Sequence, residues 1–417
     1  MEKESHDPVD GNARAAYRNT ASLIETSYMH FDSAHYQGVM ALYAHPSAGR
    51  TVRLNYNGET VVDFVRCSYL GLDNHPAIVD GAVRALREAG ALHWSCARTR
   101  LNFAGLGALE ERLSELFNAR VITYTTVLAA NMGALPLIAS GHLTGGVKPV
   151  MVFDRLAHAT LAYHKGTVAA ETQVETVQHN DMAALERICL ENEAVAYICD
   201  GVYSMGGSAD INELVRLQEK YGLFLYVDDA HGVSLFGERG EGFVKSRIGE
   251  LGERTIIATS LGKGFGASGG MLMLGTALQE TLFRRFAIAH AFSASLDTAS
   301  IGAALASAEL HRTPELSQLQ ETLQQRIALF DSLIHTAQHG SSLPIRTVHF
   351  DDELLAIAAA RSLLRQGLYA SAIFFPTVAR GQAGLRICLT SAHSQEEVRG
   401  LCSAIDRIRQ EIRAAYG

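Results

Sequence analysis

The chain has 417 residues, of which 47% are hydrophobic and 19% are charged, and its formal net charge at pH 7 is −8. This composition is typical of a folded globular protein rather than a disordered one. The acidic balance, with no basic run, argues against nucleic acid as a partner, and the absence of an apolar run of 18 residues argues against a membrane span.

Cysteine use and the N-terminal residues indicate a cytoplasmic protein. The six cysteines are Cys67, Cys96, Cys189, Cys199, Cys388 and Cys402. They form no CxxC pair and no spacing typical of a metal site, so we expect reduced thiols and no metal. The first residues, MEKESHDPVDGNARAAY, are polar and acidic and do not resemble a signal peptide.

In chain order, the first fifty or so residues predict an irregular or partly helical arm. The next segment, TVRLNYNGETVVDF (51–64), predicts two strands joined by a tight turn at Asn57-Gly58. Helical and strand patterns then alternate up to about residue 295, which predicts a parallel or mixed sheet with helices on both faces. The helical patterns cover 76–90 and 107–118, and the strand patterns cover 148–154, 194–200, 222–229, 254–260 and 270–275.

The C-terminal part has a different pattern. Two long helical patterns cover 298–311 and 314–338, a short strand follows at 385–390, and Ser394-Gln395-Glu396-Glu397 predicts a capping box that begins a last helix. We therefore predict three parts. They are an arm with the first hairpin strand (1–60), a large α/β domain (61–295) and a small C-terminal α+β domain (296–417).

One predicted strand leads directly into a polar cluster. The segment GLFLYVDDAHG (222–232) places Asp228, Asp229 and His231 after a continuous apolar run, which is typical of a strand buried on both faces. These side chains either belong to the turn that ends the strand or line a ligand site. The second interpretation is favoured at the carboxyl edge of an α/β sheet, where ligands bind.

A glycine-rich stretch, TSLGKGFGASGG (259–270), follows another predicted strand. It contains a GxGxxG match, so a dinucleotide-binding loop is one interpretation. That motif belongs near the first strand of the fold, precedes a long helix and needs an acidic residue at a strand end about 20 residues further on. The region around Glu280 has a helical pattern instead, and Lys263 lies among the glycines. A desolvated lysine beside a phosphate site is typical of a residue that reacts with aldehydes.

Together, three residues predict a pyridoxal 5'-phosphate (PLP) enzyme. Lys263 supplies an amine for a Schiff base, Asp228 supplies a carboxylate that keeps the pyridine nitrogen protonated, and His231 supplies a second polar group three residues on. Each residue alone would more often be structural. Their order along the chain favours the cofactor.

The sequence also resembles the α-oxoamine synthases, a family of fold-type I PLP-dependent transferases. The resemblance covers about residues 60–400. It is carried by YLGLDNHP (69–76), AANMGAL (129–135), FDRLAHATL (153–161), HND (179–181), DGVYSMGGSADI (200–211), VDDAHGVSLFGERGEG (227–242), TSLGKGFGASGG (259–270) and PTVARGQAGLRICLTSAH (376–393).

The resemblance implies a role for each matching residue at the cofactor ring. Lys263 would hold the cofactor and move the Cα proton of the substrate. Asp228 would pair with the pyridine nitrogen, and His231 and Ser204 would bond the phenolic oxygen. His158 would stack on the face of the ring.

The resemblance also implies residues for the phosphate and for the substrate. Ser260 and the backbone amides of Val127 and Leu128 would hold the phosphate, because helix N-termini bind anions. Ser293 would reach the phosphate from a neighbouring subunit, which implies a homodimer with shared sites. Arg386 would bind the carboxylate of the amino acid.

The sequence departs from the family at several positions. Cys67 occupies a position where the family usually has asparagine, in the part of the site that binds the substrate carboxylate. Val127 and Leu128 replace a common glycine and an aromatic residue. The segment 94–113, which shapes the entrance for the acyl substrate, is short and lacks a usual histidine.

The implied activity is a decarboxylative Claisen condensation of an α-amino acid with an acyl thioester, carried by coenzyme A or an acyl-carrier protein. A fold-type I enzyme that performs transamination, decarboxylation or aldol cleavage without a thioester is the alternative within enzymes. A non-catalytic partner subunit is the alternative from another class. It is disfavoured because Lys263, Asp228 and His231 are all present.

Overall fold

The computed structural model describes residues 20–350 and 352–416. Residues 1–19 of the predicted arm therefore lie outside the described residues. The strands are β1 (Ala44–Pro46), β2 (Thr51–Leu54), β3 (Thr60–Asp63), β4 (Arg120–Tyr124), β5 (Val150–Asp154), β6 (Val174–Val177), β7 (Val195–Asp200), β8 (Phe224–Asp228), β9 (Thr255–Ser260), β10 (Gly270–Leu274), β11 (Ile345–His349), β12 (Leu368–Tyr369), β13 (Ser371–Ile373) and β14 (Gly384–Cys388).

The α-helices begin with one in the predicted arm. They are α1 (Thr20–Tyr36), α2 (Pro76–Ala89), α3 (Ala104–Phe117), α4 (Val127–Ala139), α5 (Ala159–Ala162), α6 (Lys165–Val168), α7 (Met182–Glu191), α8 (Ile211–Tyr221), α9 (Lys245–Ile248), α10 (Ala277–Phe286), α11 (Ile288–Ala291), α12 (Thr298–Leu310), α13 (Pro314–Leu333), α14 (Glu353–Arg365) and α15 (Gln395–Tyr416). A short 3₁₀ helix covers Leu72–Asn74. Over the described part of the chain, none of these helices has the length and apolar character of a membrane span.

Seven strands form one large sheet in the order β4-β10-β9-β8-β7-β5-β6. Strands β5 to β9 run parallel to one another, whereas β10 is antiparallel to both β9 and β4. Parallel neighbours require crossover connections, and helices α8 and α9 lie in the connections from β7 to β8 and from β8 to β9. The predicted large, mostly parallel sheet of a fold-type I transferase is confirmed.

The central strand β8 shows that both faces of this sheet are covered. All five of its residues are buried. Leu225 and Val227 belong to a hydrophobic cluster that also contains leucines of α3, α7 and α8, whereas Phe224 and Tyr226 belong to a second cluster with side chains of α4 and α10. Because side chains alternate along a strand, a continuous apolar run is the pattern that two buried faces require.

The predicted hairpin is present and joins the C-terminal part of the chain. Strands β2 and β3 are antiparallel, with Thr51 opposite Val62, and Gly58 has the positive φ of +75° that the turn requires. Strand β3 also pairs in parallel with β12, and a third sheet has the order β11-β14-β13. The smaller α+β unit is confirmed. The domain limits 1–60, 61–295 and 296–417 stay a prediction.

The last long helices differ in how well their ends were predicted. Helix α13 ends at Leu333 rather than at 338, because Ile334 has extended backbone and buries its side chain in the core. Helix α15 begins as predicted. The Ser394 amide donates to Glu397 Oε2 at 2.7 Å, and the Glu397 amide donates to Ser394 Oγ at 3.1 Å, which are the two bonds of a capping box.

Candidate active site

The carboxylate of Asp228 lies at the end of β8, buried beneath the carboxyl edge of the large sheet. Its Oδ1 accepts a hydrogen bond from the Ala230 amide at 3.0 Å, and its Oδ2 lies 3.5 Å from Asn131 Nδ2. Burial raises the pKa of Asp228, and the nearby Lys263 amine partly offsets this effect. The strand therefore presents a desolvated carboxylate, as the sequence predicted.

Asn131, on helix α4, orients that carboxylate and was not predicted as a site residue. Its Oδ1 accepts a hydrogen bond from the Tyr226 hydroxyl at 2.7 Å. Its Nδ2 donates to Thr160 Oγ1 at 3.1 Å and faces Asp228. The Tyr226 hydroxyl can donate only to the amide oxygen, because the amide nitrogen cannot accept a hydrogen bond. The nitrogen is therefore the end of the amide that points toward the carboxylate.

Lys263 and His231 are in direct contact. Lys263 Nζ lies 2.9 Å from His231 Nε2, and the Tyr69 hydroxyl lies 2.7 Å from His231 Nδ1. Burial lowers the pKa of His231 well below its usual range and also lowers the pKa of Lys263. A neutral imidazole carries one N–H, so it donates to one of these neighbours and accepts from the other. The contact is suited to holding a reactive amine in place.

His158 is held at the edge of the same cluster. Its backbone amide donates to Asp200 Oδ2 at 2.8 Å, and its Nδ1 lies 2.9 Å from Thr160 Oγ1. Burial lowers the pKa of His158, although the Asp228 charge opposes this. Asp200, at the end of β7, was not predicted. Burial and the neighbouring Asp228 raise its pKa well above the usual range.

Arg386, on β14, brings the C-terminal part of the chain to this cluster. Its Nε donates to the Ser204 carbonyl at 2.6 Å, which places the predicted Ser204 beside it. Its Nη1 lies 3.1 Å from Cys388 Sγ, and its Nη2 lies 3.7 Å from Cys67 Sγ. The guanidinium is therefore fixed through its Nε, and its Nη2 faces Cys67. Cys388 is a neighbour that the sequence did not predict.

The predicted phosphate residues converge where β9, β10 and α4 meet. Ser260 is the register partner of Gly270, and a Cβ added at Gly270 would lie 2.6 Å from the Val127 amide nitrogen. The Thr126 side chain caps the helix through the Ala129 amide. The first amides of a helix have no partner within it, so those of Val127 and Leu128 are available to an anion.

The glycine-rich loop between β9 and β10 does not have the geometry of a dinucleotide-binding loop. It passes into an antiparallel strand at Gly270 rather than into a helix, and Glu280 lies within helix α10. The pyrophosphate of a dinucleotide requires a helix N-terminus directly after the loop. The dinucleotide interpretation is therefore wrong.

The donor set of the cluster fits PLP. A partly buried amine (Lys263), a buried carboxylate (Asp228), an imidazole (His231) and free helix amides (Val127, Leu128) match the aldehyde, pyridine nitrogen, phenolic oxygen and phosphate of that molecule. The structure brings all of these elements to one edge of the large sheet. It records no hydrogen bond from the Ser293 side chain within the described residues, and the role of Ser293 in a second subunit stays a prediction.

Comparison with known proteins gives the same class. Residues 59–405 match the family model described as aminotransferase class I and II. The chain is 31% identical over 368 residues to the 8-amino-7-oxononanoate synthase of Geobacter sulfurreducens and 32% identical over 367 residues to that of Aromatoleum aromaticum. The alignments cover 86% and 85% of this chain and 92% and 91% of those relatives. A solved serine palmitoyltransferase with PLP is 20% identical and superposes with a TM-score of 0.83, covering 95% of this chain and 99% of that one.

The chain therefore belongs to the aminotransferase class I and II family. Its resemblance to the α-oxoamine synthases is confirmed, and with it the prediction that the protein is an enzyme of that type. The likeness to the serine palmitoyltransferase confirms the fold. The roles of individual residues stay proposals.

Proposed function

We propose that the protein condenses an α-amino acid with an acyl thioester and releases an α-aminoketone, CO₂ and a free thiol. The observation that carries this proposal is the contact of 2.9 Å between Lys263 Nζ and His231 Nε2, beside the buried Asp228 and across from Arg386. This arrangement supports the proposal, because it brings together an amine, a carboxylate and a guanidinium that could serve as the base, the partner of the ring nitrogen and the site for the substrate carboxylate. The acyl donor is supported by the relatives, one of which is named as a palmitoyltransferase.

The cofactor of this reaction is PLP, in agreement with the family and with the solved relative. When bound, PLP would accept the negative charge that develops at the Cα of the substrate. Lys263 would hold its aldehyde, Asp228 its ring nitrogen, and His231 and Ser204 its phenolic oxygen. His158 would cover the face of the ring.

The phosphate of the cofactor would lie at the N-terminus of α4. The Val127 and Leu128 amides and the Ser260 hydroxyl would bind it from this chain. Ser293 of the partner subunit would complete the site. These amides carry the positive end of the helix dipole, which favours the charge of a phosphate.

Three side chains of this protein would have separate roles in the reaction. Arg386 would bind the substrate carboxylate, and Lys263 would remove the Cα proton and later return it. Burial lowers the pKa of Lys263, so a larger fraction of the amine is neutral and able to act as a base near neutral pH. His231 would hold that amine in position through its Nε2.

The reaction distinguishes this proposal from its alternatives. We would incubate the PLP-loaded protein with a panel of amino acids and acyl thioesters and measure free thiol and CO₂ together. The proposal requires both products in equal amounts and only when both substrates are present. CO₂ without thiol would indicate simple decarboxylation, and an oxo acid formed without a thioester would indicate transamination. Either result contradicts the proposed function.

A homodimer with shared sites is part of the proposal. Leu128, Ile288 and Phe292 are large apolar residues with exposed fractions of 45%, 64% and 72%, and they lie close in sequence to Val127 or Ser293. Large exposed apolar residues near a site are consistent with a subunit interface there. The cytoplasmic location expected from the sequence stays a prediction.

We expect Cys67→Asn to strengthen amino-acid binding. Cys67 faces the Arg386 guanidinium, and a thiolate there would compete with the substrate carboxylate for that charge. An asparagine amide removes the competing charge and adds a donor, so the dissociation constant should fall about threefold to tenfold, the worth of about one hydrogen bond. The measurement is an amino-acid titration followed by absorbance. Cys96→Asn, at an exposed cysteine, is the control. Equal affinity in both variants would remove Cys67 from the site.

We expect Tyr69→Phe to lower turnover about tenfold while PLP stays bound, because one nitrogen of the buried His231 loses its partner. The measurement is steady-state turnover with cofactor content determined on the same sample. Tyr203→Phe is the matched control, since the Tyr203 hydroxyl is buried and has no hydrogen-bond partner among the residues that the structure describes. If both variants behave alike, the hydroxyl of Tyr69 has no role in positioning His231.

A further inference from the structure

Two thiols from distant parts of the chain meet beside the Arg386 guanidinium. Cys67 Sγ lies 3.9 Å from Cys388 Sγ. Arg386 Nη1 lies 3.1 Å from the sulfur of Cys388 and 3.8 Å from that of Cys67. These three side chains form one cluster.

The fold places these sulfur atoms together. Cys388 and Arg386 are two residues apart in β14, so their side chains point to the same face of the strand. The Cys388 amide donates to the Phe64 carbonyl at 2.8 Å, which holds the segment leading to Cys67 against the end of that strand. Cys388 is fully buried, whereas Cys67 is only half-buried. A small oxidant therefore reaches Cys67 first.

The surroundings of Cys67 favour its thiolate form. The hydrogen bond from the Cys388 thiol lowers the pKa of Cys67, and the Arg386 charge lowers it further, against the effect of burial. The thiolate is the form of cysteine that attacks peroxides and disulfides. The bond to Cys67, together with burial, raises the pKa of Cys388 well above its usual range, which favours its protonated form. The cluster thus holds one nucleophilic sulfur next to one protonated sulfur.

We propose that Cys67 and Cys388 are a modification site, at which a peroxide links the two sulfur atoms in a reversible disulfide. The Cys67 thiolate attacks a peroxide oxygen, the O–O bond breaks, and Cys67 becomes a sulfenic acid while hydroxide takes up a proton. Cys388 sulfur then attacks the Cys67 sulfur, the S–S bond forms, and the S–O bond breaks to release water. In total, two thiols and hydrogen peroxide give one disulfide and two water molecules.

The distance between the two sulfur atoms is short enough for this step. A disulfide bond is about 2.0 Å long, so the sulfur atoms need to approach by about 1.9 Å from their separation of 3.9 Å. Cys388 is fixed within a three-stranded sheet, whereas Cys67 lies in an irregular segment between β3 and the 3₁₀ helix. Cys67 is therefore the residue that moves.

Closure of the disulfide would alter the amino-acid site. Tyr69, two residues after Cys67, contacts His231, which in turn contacts Lys263. A shift of Cys67 toward Cys388 would displace Tyr69 and so alter its contact with His231. It would also change the surroundings of Arg386. This consequence rests on the proposed function, whereas formation of the disulfide does not.

The test starts from the full-length, PLP-loaded protein in its reduced form. We would treat it with hydrogen peroxide, block the remaining thiols with an alkylating reagent and map the peptides by mass spectrometry. The expected result is a Cys67–Cys388 linkage and a fall from six free thiols to four, with all six restored by dithiothreitol. Cys67 oxidised beyond the sulfenic acid without any linkage would overturn the proposal, and so would both thiols remaining free while other cysteines react.

Two variants make this test specific. Cys388→Ser removes the second sulfur, so Cys67 should stop at the sulfenic acid or oxidise further and no linkage should form. Cys96→Ser removes an exposed thiol, and the linkage should form as before. If the linkage is also lost in Cys96→Ser, the thiols exchange through another cysteine and the direct reaction is wrong.

Turnover is measured separately, before and after oxidation. Product formation by the reduced protein tests the proposed function on its own. Oxidation should then lower turnover about tenfold or more, since small displacements of catalytic groups have effects of this size or larger, and dithiothreitol should restore it. A disulfide with unchanged turnover would retain the modification site but refute its effect on the amino-acid site.

Discussion

Replacing Lys263 by alanine is expected to lower turnover by about 10²–10⁴-fold or more, the contribution typical of a single positioned acid–base group. The residue is partly buried, its amine contacts His231, and no other lysine is in contact with Asp228 or His231 among the described residues. The same change removes the one lysine amine that, within the described part of the chain, lies in this cluster and could hold the cofactor. The measurement is turnover, together with exchange of the Cα hydrogen of the amino acid for deuterium.

Lys263→Arg is the matched variant for this prediction. It keeps a cation beside Asp228 but supplies neither a neutral amine nor a base near neutral pH, since arginine stays protonated. We expect it to be as inactive as the alanine variant while unfolding at a similar temperature to the wild type. Measurable exchange of the Cα hydrogen in both variants, at a rate close to that of the wild type, would assign the base to another residue.

Replacing Asp228 by asparagine is expected to lower turnover by about 10²–10³-fold, the range seen when one preorganised electrostatic group is removed. The amide has nearly the same shape and would keep the Ala230 hydrogen bond, but it carries no charge to hold a proton on the pyridine nitrogen. If the new side chain keeps its oxygen toward Ala230, its NH₂ group faces the Asn131 Nδ2, and neither nitrogen can accept a hydrogen bond. Turnover and the PLP absorbance spectrum are the measurements.

Asp229→Asn is the control for this second prediction, because it makes the same exchange one residue further along. Asp229 Oδ2 accepts from the Val244 amide at 3.0 Å, and burial raises the pKa of this carboxyl to about 8. The group is therefore mostly uncharged at neutral pH, and an amide is a close substitute. We expect near-normal turnover from Asp229→Asn. Equal losses in the two variants would mean that general packing, not the charge at Asp228, accounts for the effect.

Much of the fold follows from local patterns in the sequence. The buried run before Asp228 predicts β8 because a strand covered on both faces needs an apolar residue at every position. Asn57-Gly58 predicts the hairpin because its turn requires positive φ. Helix ends were harder to predict, as α13 shows, because Ile334 leaves the helix to bury its side chain in a core built from distant segments.

The site was predictable where chemistry depends on single residues near strand ends. Lys263, Asp228 and His231 fall in this class. Asn131 and Tyr69 were missed because their roles depend on partners about 95 and 162 positions away in sequence. For Cys388, the sequence held a usable signal, because its spacing of two from Arg386 in a strand puts both on one face. Its pairing with Cys67 depends on how the segment before the 3₁₀ helix packs against β14, which no local pattern specifies.

The measurement that tests the central claim most directly is borohydride reduction of the PLP-loaded protein followed by peptide mapping. The account predicts that the near-visible absorbance of the bound PLP disappears. It also predicts that a phosphopyridoxyl group is found on Lys263, the lysine in contact with His231. A group on a different lysine, such as Lys165 or Lys245, or a protein that takes up no PLP at all, would contradict the account.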